Sequence, residues 1–425
     1  MNIHQVNGNE RLRRLINDCL LVRKQTTDIC ARISLEDHVV QPIADVSPPK
    51  WHLAHTTWFF EELILLRFAS SYERLNQQYQ LLFNSYYKSA GQHWLQAHRG
   101  NLSRPTVAEI LHYRTYVDSA LVDLSANVSA NAELLSLLQI GLHHEQQHQE
   151  LLLMDIKYIL ASNPHCPSYS DTQLVKAQPA DDKWRNFNEG VYQLGSDGKH
   201  FAYDNEKPRH RSYIHPFSIC EKTVTNGDFL EFIIDKGYSA PRFWLSIGWD
   251  WLSINNIQQP LYWRQEGSVW YEYTLHGLQT LDLNAPVTHI SYFEADAYAN
   301  WRGMRLPTEQ ELEIYLSSAV KAGVNTAGIA EHTSMALTDV LQPYASDAST
   351  GQVWCWSKSH YSSYPGYQPY QGVLTEYNGK FMCNQFVLKG GCIATPKGHY
   401  RHSYRNFYAP QQRWMFSGIR LTKDI

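Results

Sequence analysis

The sequence predicts an α+β protein in two parts, a four-helix bundle followed by a larger domain of short strands, short helices and much irregular chain. Three observations carry this. Residues 10–34, 49–69, 105–126 and 131–161 space apolar residues three and four apart, the period of one helical face. From about residue 185 Gly, Trp, Tyr, Asn and Pro rise, and short apolar runs (VYQLG, HPFSI, PVTHIS, QFVLKGG, FSGIRL) alternate with turn residues. The chain's 425 residues also exceed what one ordinary core holds.

The first helix carries Leu12, Leu15, Cys19 and Val22 on one face. The second begins at Pro48-Pro49, because proline is tolerated in a first turn and not in a helix interior, and it carries Trp51, His55, Trp58, Phe59 and Leu63. The third opens at Pro105 and runs past Leu124. The fourth repeats Leu134, Leu135, Leu138, Ile140, Leu142, Leu151, Leu152 and Ile156. Residues 1–162 therefore read as a bundle and 163–184, rich in Pro, Ser and Asp, as a linker. Residues 185–425 read as the second domain, with short helices at 225–236, N-capped by Thr225 or Asn226, and at 292–302.

Composition excludes several classes. Apolar residues make up 43% and charged residues 18%, enough core and too little charge for a disordered chain. A net charge of −4 gives no electrostatic case for nucleic acid or an anionic membrane. No stretch of 18 apolar residues and no apolar leader is present, so neither a transmembrane helix nor a signal peptide is expected. Seven scattered cysteines, none in a C-x-x-C pair, fit a reducing cytosol, so a cytoplasmic location is expected.

The central feature is HHEQQHQE at 143–150. His144 and His148, four apart, lie one turn apart on one helical face and can converge on one metal. The string also contains H-E-x-x-H, so a zinc-hydrolase reading stands beside the others. A second helix supplies WHLAHTTW, with His52 and His55. Facing helices of a bundle core build metal sites, and three neutral imidazoles leave up to three positions of an octahedral ion open, a variant of the non-haem iron face. Buried imidazoles need partners, which argues against three of them as mere filling. His52 and His143 read as neighbours on other faces, and Glu150 as a residue that orients a ligand histidine.

At these residues the chain resembles the ergothioneine-biosynthetic sulfoxide synthases, the EgtB family. SPPKWHLAHTTWFFEE at 47–62 and HHEQQHQELLLMDIK at 143–157 resemble that family's DinB-like bundle. GVYQLGSDG (190–198), DNEKPRHR (204–211), TVTNGDFLEFI (223–233), PVTHISYFEADAYANW (286–301), RLPTEQELE (305–313), GQVWCWSKSHYSSYPGY (351–367), YNGKFMCNQFVLKGG (377–391) and YRNFYAPQQRWMFSGIRL (404–421) resemble its C-type-lectin-like formylglycine-generating-enzyme/sulfatase-modifying-factor module. The resemblance spans nearly the whole chain, without the methyltransferase module that related ovothiol synthases often carry.

What it implies is oxidative C–S bond formation: hercynine and a thiol react with O2 at Fe(II) to give a sulfoxide on the imidazole ring. His55, His144 and His148 match the family's iron ligands, and the glutamate after the first helix-borne ligand is not a hydrolytic base there. Gln147 matches a position contacting hercynine. Asn406, Phe407 and Tyr408 resemble the C-terminal part of the same pocket, where a trimethylammonium, which cannot donate a hydrogen bond, needs aromatic faces. Arg405 and Arg420 are candidates for the thiol substrate's carboxylate. Tyr86 and Tyr87, in NSYY at 84–87, match a pair from which one branch draws its catalytic phenol, which is protonated at neutral pH and able to donate. That branch takes cysteine rather than γ-glutamylcysteine.

One departure is Gly390-Gly391-Cys392-Ile393 where the module often reads Gly-Gly-Ser-Cys. Without a metal-binding cysteine pair, the second domain is expected to be a binding scaffold, with Cys355 and Cys392 ordinary buried thiols. Other readings stay open: a selenoneine synthase using a selenosugar donor, an ovothiol-type histidine–cysteine sulfoxide synthase, a zinc-dependent DinB-type thiol transferase and a metal-free carbohydrate-like binding module. The expected partners are small molecules, not nucleic acid or membrane, and a homo-oligomer stays open.

Overall fold

All four long helices form in a computed structural model that describes residues 3–85, 87–321 and 341–425. They are α1 (Ile3–Cys30), α2 (Pro49–Phe60), α3 (Val107–Asn127) and α4 (Ala132–Ala161), and they belong to a unit that ends at Pro164. α2 starts with a proline at its first position, after an extended Pro48. All twelve of its residues are buried, so it is the bundle's innermost helix, packed against α3 and α4. The expected α-helix to residue 69 is interrupted. Glu61–Leu65 form a π-turn before a last α-turn at Leu66–Phe68. The widened turn coincides with a buried carboxylate: Tyr72 and Tyr113 hydroxyls donate to Glu61 at 2.6 and 2.7 Å.

Local chemistry sets the other helix ends. α3 opens with a capping box between Thr106 and Glu109, and Asn131 caps α4 by accepting from the Leu134 amide. Apolar packing joins the helices, and so does a buried charged cluster. Arg23 of α1 bonds Asp118 of α3, and Arg114 of α3 bonds Glu145 of α4. Between α2 and α3, residues 69–85 and 87–104 are irregular apart from short helical turns such as Tyr79–Phe83. Among the described residues no helix is long and apolar enough to cross a membrane.

The second unit begins at His165 and extends to the C-terminus. Residues 165–183 carry no helix or strand, and the Tyr169 and Ser170 amides donate to the Leu275 carbonyl at 2.8 and 3.0 Å. Its strands are short: β1 (Trp184–Phe187), β2 (Gly190–Leu194), β3 (His210–Ile214), β4 (Phe217–Thr223), β5 (Trp263–Glu266), β6 (Val269–Thr274), β7 (Gly277–Thr280), β8 (Trp354–His360), β9 (Phe386–Lys389), β10 (Asn406–Tyr408), β11 (Ser417–Gly418) and β12 (Arg420–Asp424). They pair in the orders β1-β4-β12, β10-β9-β8-β11, β2-β3 and β5-β6-β7. All pairs are antiparallel except β8 with β11. Gly418 sits where β11 meets β8. A Cβ there would lie 2.5 Å from a Val353 methyl and 2.9 Å from the Val287 carbonyl, so only glycine fits.

Among the described residues four α-helices complete the unit: α5 (Asn226–Ile234), α6 (Ser246–Ile254), α7 (Tyr292–Trp301) and α8 (Glu309–Lys321). Thr225 caps α5 in a box with Asp228, and Ser291 caps α7 in a box with Glu294. α6 and α8 were not expected from the sequence. α8 packs Leu312, Tyr315 and Leu316 against Phe217, Ile219, Val353 and Cys355 in a core cluster. It also buries Glu309, Glu311 and Glu313, each held by a cation: Arg405, Arg305 and Lys389 respectively.

Candidate metal centre

His55 on α2 and His144 and His148 on α4 converge inside the first unit. Each offers one ring nitrogen, and these atoms all lie within 4.8 Å of one another. Their ring centroids are 4.6–5.1 Å apart. Aromatic neighbours fix the rings. Trp51 stacks on His55 at 4.5 Å with 9° between planes, and Phe59 stacks on His144 at 4.3 Å. Arg99 lies over Trp51, 3.3 Å from its centroid, and its guanidinium donates to Ser47 Oγ and Ser85 Oγ.

Hydrogen bonds select the tautomers. His55 Nδ1 is 2.6 Å from the Phe83 carbonyl, which only accepts, so Nδ1 carries the proton and Nε2 keeps its lone pair. His148 Nδ1 is 2.9 Å from His52 Nδ1, and His52 Nε2 is 2.9 Å from Asp155 Oδ2. The Ser47 amide donates to the same Asp155 oxygen at 2.8 Å.

Electrostatics keep the three rings neutral. Burial pushes His55 well below the ordinary histidine range, with the His144 imidazole adding to it. Burial takes His144 down to about 3 against the opposing pull of Glu145. Burial and then His144 and His55 lower His148. Three neutral, buried, convergent imidazoles are a donor set suited to a divalent first-row transition metal. The residues present therefore fit such an ion.

Glu145 is committed elsewhere. Although burial favours its neutral form, the Arg114 and Arg23 guanidiniums hold its carboxyl below the usual range. It is wholly buried in that ion cluster, which leaves no role for it as the water-activating base of a zinc hydrolase.

The structure distributes the remaining candidates unevenly. Gln147 and Glu150 lie on α4, half-buried and buried respectively. Tyr87 is buried in the first unit, and its ring stacks on Trp58, which in turn stacks on His55. Asn84 clips it by donating to the Tyr87 carbonyl and accepting from the Tyr87 amide. Tyr86 lies outside the described residues. Asn406, Phe407 and Tyr408 form β10 in the second unit, all half-buried. Phe407 stacks on Tyr361 at 4.0 Å.

Two expectations need correction. Arg405 is not available to a substrate carboxylate: it is buried, bonded through two nitrogens to Glu309, and donates to the Asn205 and Ser362 carbonyls. Arg420 is likewise enclosed, donating to the Cys220 and Glu221 carbonyls of β4 and to the Ala348 carbonyl. Both arginines hold the second unit together. Asp155 was the residue missed, and His52, read as a neighbour on another face, is hydrogen-bonded to both His148 and Asp155. Asp155 follows His148 by seven, two helical turns along the ligand face, an acid where apolar residues dominate, and that spacing was the available signal.

Known proteins resemble both parts of the chain. Residues 20–152 match the DinB superfamily, and residues 176–333 match the sulfatase-modifying factor enzyme 1-like domain. Over 406 residues, 89% of this chain and 92% of the relative, the sequence is 30% identical to a hercynine oxygenase of Mycobacterium tuberculosis. A hercynine oxygenase of Mycolicibacterium thermoresistibile is 29% identical, covering 89% of this chain and 88% of the relative. Ergothioneine biosynthesis protein 1 of Schizosaccharomyces pombe is 29% identical over 53% of this chain and 28% of its own length. A helical bundle carrying a three-histidine cluster, joined to a sulfatase-modifying-factor-like domain, defines an oxygenase of two modules. The chain belongs to the EgtB family of ergothioneine-biosynthetic sulfoxide synthases.

Proposed function

We propose that this oxygenase joins hercynine to a thiol, cysteine in preference to γ-glutamylcysteine, to give hercynylcysteine sulfoxide, with iron(II) held by His55, His144 and His148. The observation that carries the reading is the convergence of three neutral imidazoles while the adjacent Glu145 is locked in an arginine cluster. Iron(II) held by these three histidines would supply one-electron redox chemistry toward O2. The chain's own groups do the rest. Phe83 and His52 fix which nitrogens face the centre, and Trp51, Trp58 and Phe59 exclude water from the rings. Tyr87, buried and clipped by Asn84, is the phenol that holds and delivers a proton. In the first unit Gln147 is a hercynine contact, and in the second unit Asn406, Phe407 and Tyr408 offer polar and aromatic faces suited to a trimethylammonium. A cytoplasmic site of action accompanies this reading.

The test is aerobic incubation of the iron(II)-loaded protein with hercynine and, separately, cysteine, γ-glutamylcysteine or a selenosugar, read by mass spectrometry. Hercynylcysteine sulfoxide as the dominant product is expected. A selenium-linked product alone would move the chain to selenoneine synthesis. Zinc as the native metal with no thiol-dependent oxygen uptake would overturn the oxygenase chemistry. His148→Ala is expected to lose metal and turnover together, and full activity in that variant would remove His148 from the ligand set.

A further inference from the structure

Asp155, His52 and His148 form a continuous buried chain. All three are at least nine-tenths buried. A carboxylate only accepts, so the 2.9 Å contact assigns the Nε2 proton of His52 to the Asp155 side. For His148 to offer its Nε2 to the centre, the proton of the 2.9 Å contact between the two Nδ1 atoms sits on His148, and His52 Nδ1 accepts it. His148 Nδ1 donates outward, and its Nε2 lone pair is the one left for the centre. The far end is pinned as well, because the Ser47 amide donates to the same oxygen of Asp155. His55 is held differently: it donates to a backbone carbonyl, which carries no charge.

We infer that His52 and Asp155 are positioning residues that act on the metal through His148, fixing its tautomer and ring orientation and making it a more electron-rich ligand. This rests on the three-histidine metal site proposed above. A carboxylate passing its influence through one imidazole to a second extends the usual ligand–carboxylate contact by one ring. Both residues lie on the ligand helices themselves, His52 one turn before His55 on α2 and Asp155 two turns after His148 on α4, so the relay also fixes how those helices face each other at the site.

The experiment is anaerobic Co(II) titration of the metal-free full-length protein, followed by visible absorption. Wild type is expected to bind one Co(II), and His144→Ala to abolish that binding. His52→Phe, which keeps a ring but no nitrogen, is expected to weaken Co(II) binding roughly 10- to 100-fold and to shift the ligand-field bands. Asp155→Asn, isosteric and uncharged, is expected to have a smaller effect in the same direction, and it keeps the test decisive if His52→Phe folds poorly by circular dichroism. The double variant is expected to bind no more weakly than His52→Phe alone, because Asp155 acts through His52. Wild-type affinity and spectra in well-folded Asp155→Asn and His52→Phe, or effects that multiply in the double variant, would overturn the relay. Co(II) binding that survives His144→Ala would instead overturn the metal site beneath it.

Discussion

The Glu145 carboxylate is bonded to the Arg114 guanidinium, although in sequence Glu145 directly follows the ligand candidate His144. One residue along a helix is about 100° of rotation, so neighbours in the string serve different faces. His144 faces α2, and Glu145 faces Arg114 on α3 and Arg23 on α1. The H-E-x-x-H string is thus a metal face and a structural ion cluster overlapping by one position.

Glu145→Gln is expected to cost roughly 3 kcal/mol, because it leaves two buried guanidiniums short of an anion. It should leave metal stoichiometry intact. Denaturant unfolding and metal analysis check both halves. An unchanged unfolding midpoint together with lost metal would place Glu145 in the coordination set instead.

Tyr87→Phe keeps the ring that stacks on Trp58 and removes only the hydroxyl. Metal content and melting temperature should be unchanged while turnover falls about 10²-fold, the scale of one lost proton donor. Full turnover would exclude this phenol from the chemistry.

The three histidines also give a pH signature. Their folded pKa values lie below the ordinary 6.5, with His144 at about 3. Below about pH 6.5 the unfolded chain takes up protons that the folded, metal-free chain refuses, so stability falls as pH drops. Each histidine contributes about 1.4 kcal/mol per pH unit within that window. Calorimetry of the metal-free protein between about pH 6.5 and 5 should show this slope, reduced by one proton in His144→Gln. A slope unchanged by that variant would mean that His144 is protonated in the fold.

Arg405→Lys separates a structural arginine from a substrate anchor. Lysine cannot reproduce the two-nitrogen grip on Glu309 together with the carbonyl contacts. The substrate-free protein should lose about 3 kcal/mol of stability. Unaltered stability with only a raised KM for the thiol would restore the anchor role.

The bundle and its histidines were legible because they repeat. Apolar residues at helical spacing mark α1 to α4, and His144 and His148 keep the same period within an apolar face. What sequence hides is a partner brought from far away. Arg405 and Arg420 read as binding groups because their acceptors, Glu309 and the carbonyls of Cys220 and Ala348, are 72 to 200 positions distant. α8 was overlooked for the same reason: Glu309, Glu311 and Glu313 look like an exposed polar stretch until their cations arrive from elsewhere. The π-turn at Glu61, whose carboxylate accepts from the distant Tyr72 and Tyr113, leaves no periodic trace. His52 shared its helix with a stronger candidate, and its importance appears only with Asp155 beside it.

The contact between His55 Nδ1 and the Phe83 carbonyl has a thermodynamic corollary. Phe83 ends the short turn that leads to Asn84 and Tyr87, so the segment presenting the phenol is fastened to a ligand ring. Free energies of linked events are reciprocal: whatever an ion gains from a well-held His55, the segment gains from the ion. Loading the centre should therefore slow proteolytic nicking and amide exchange around residues 79–87, turning that stretch into a gauge of occupancy that can be read without any substrate.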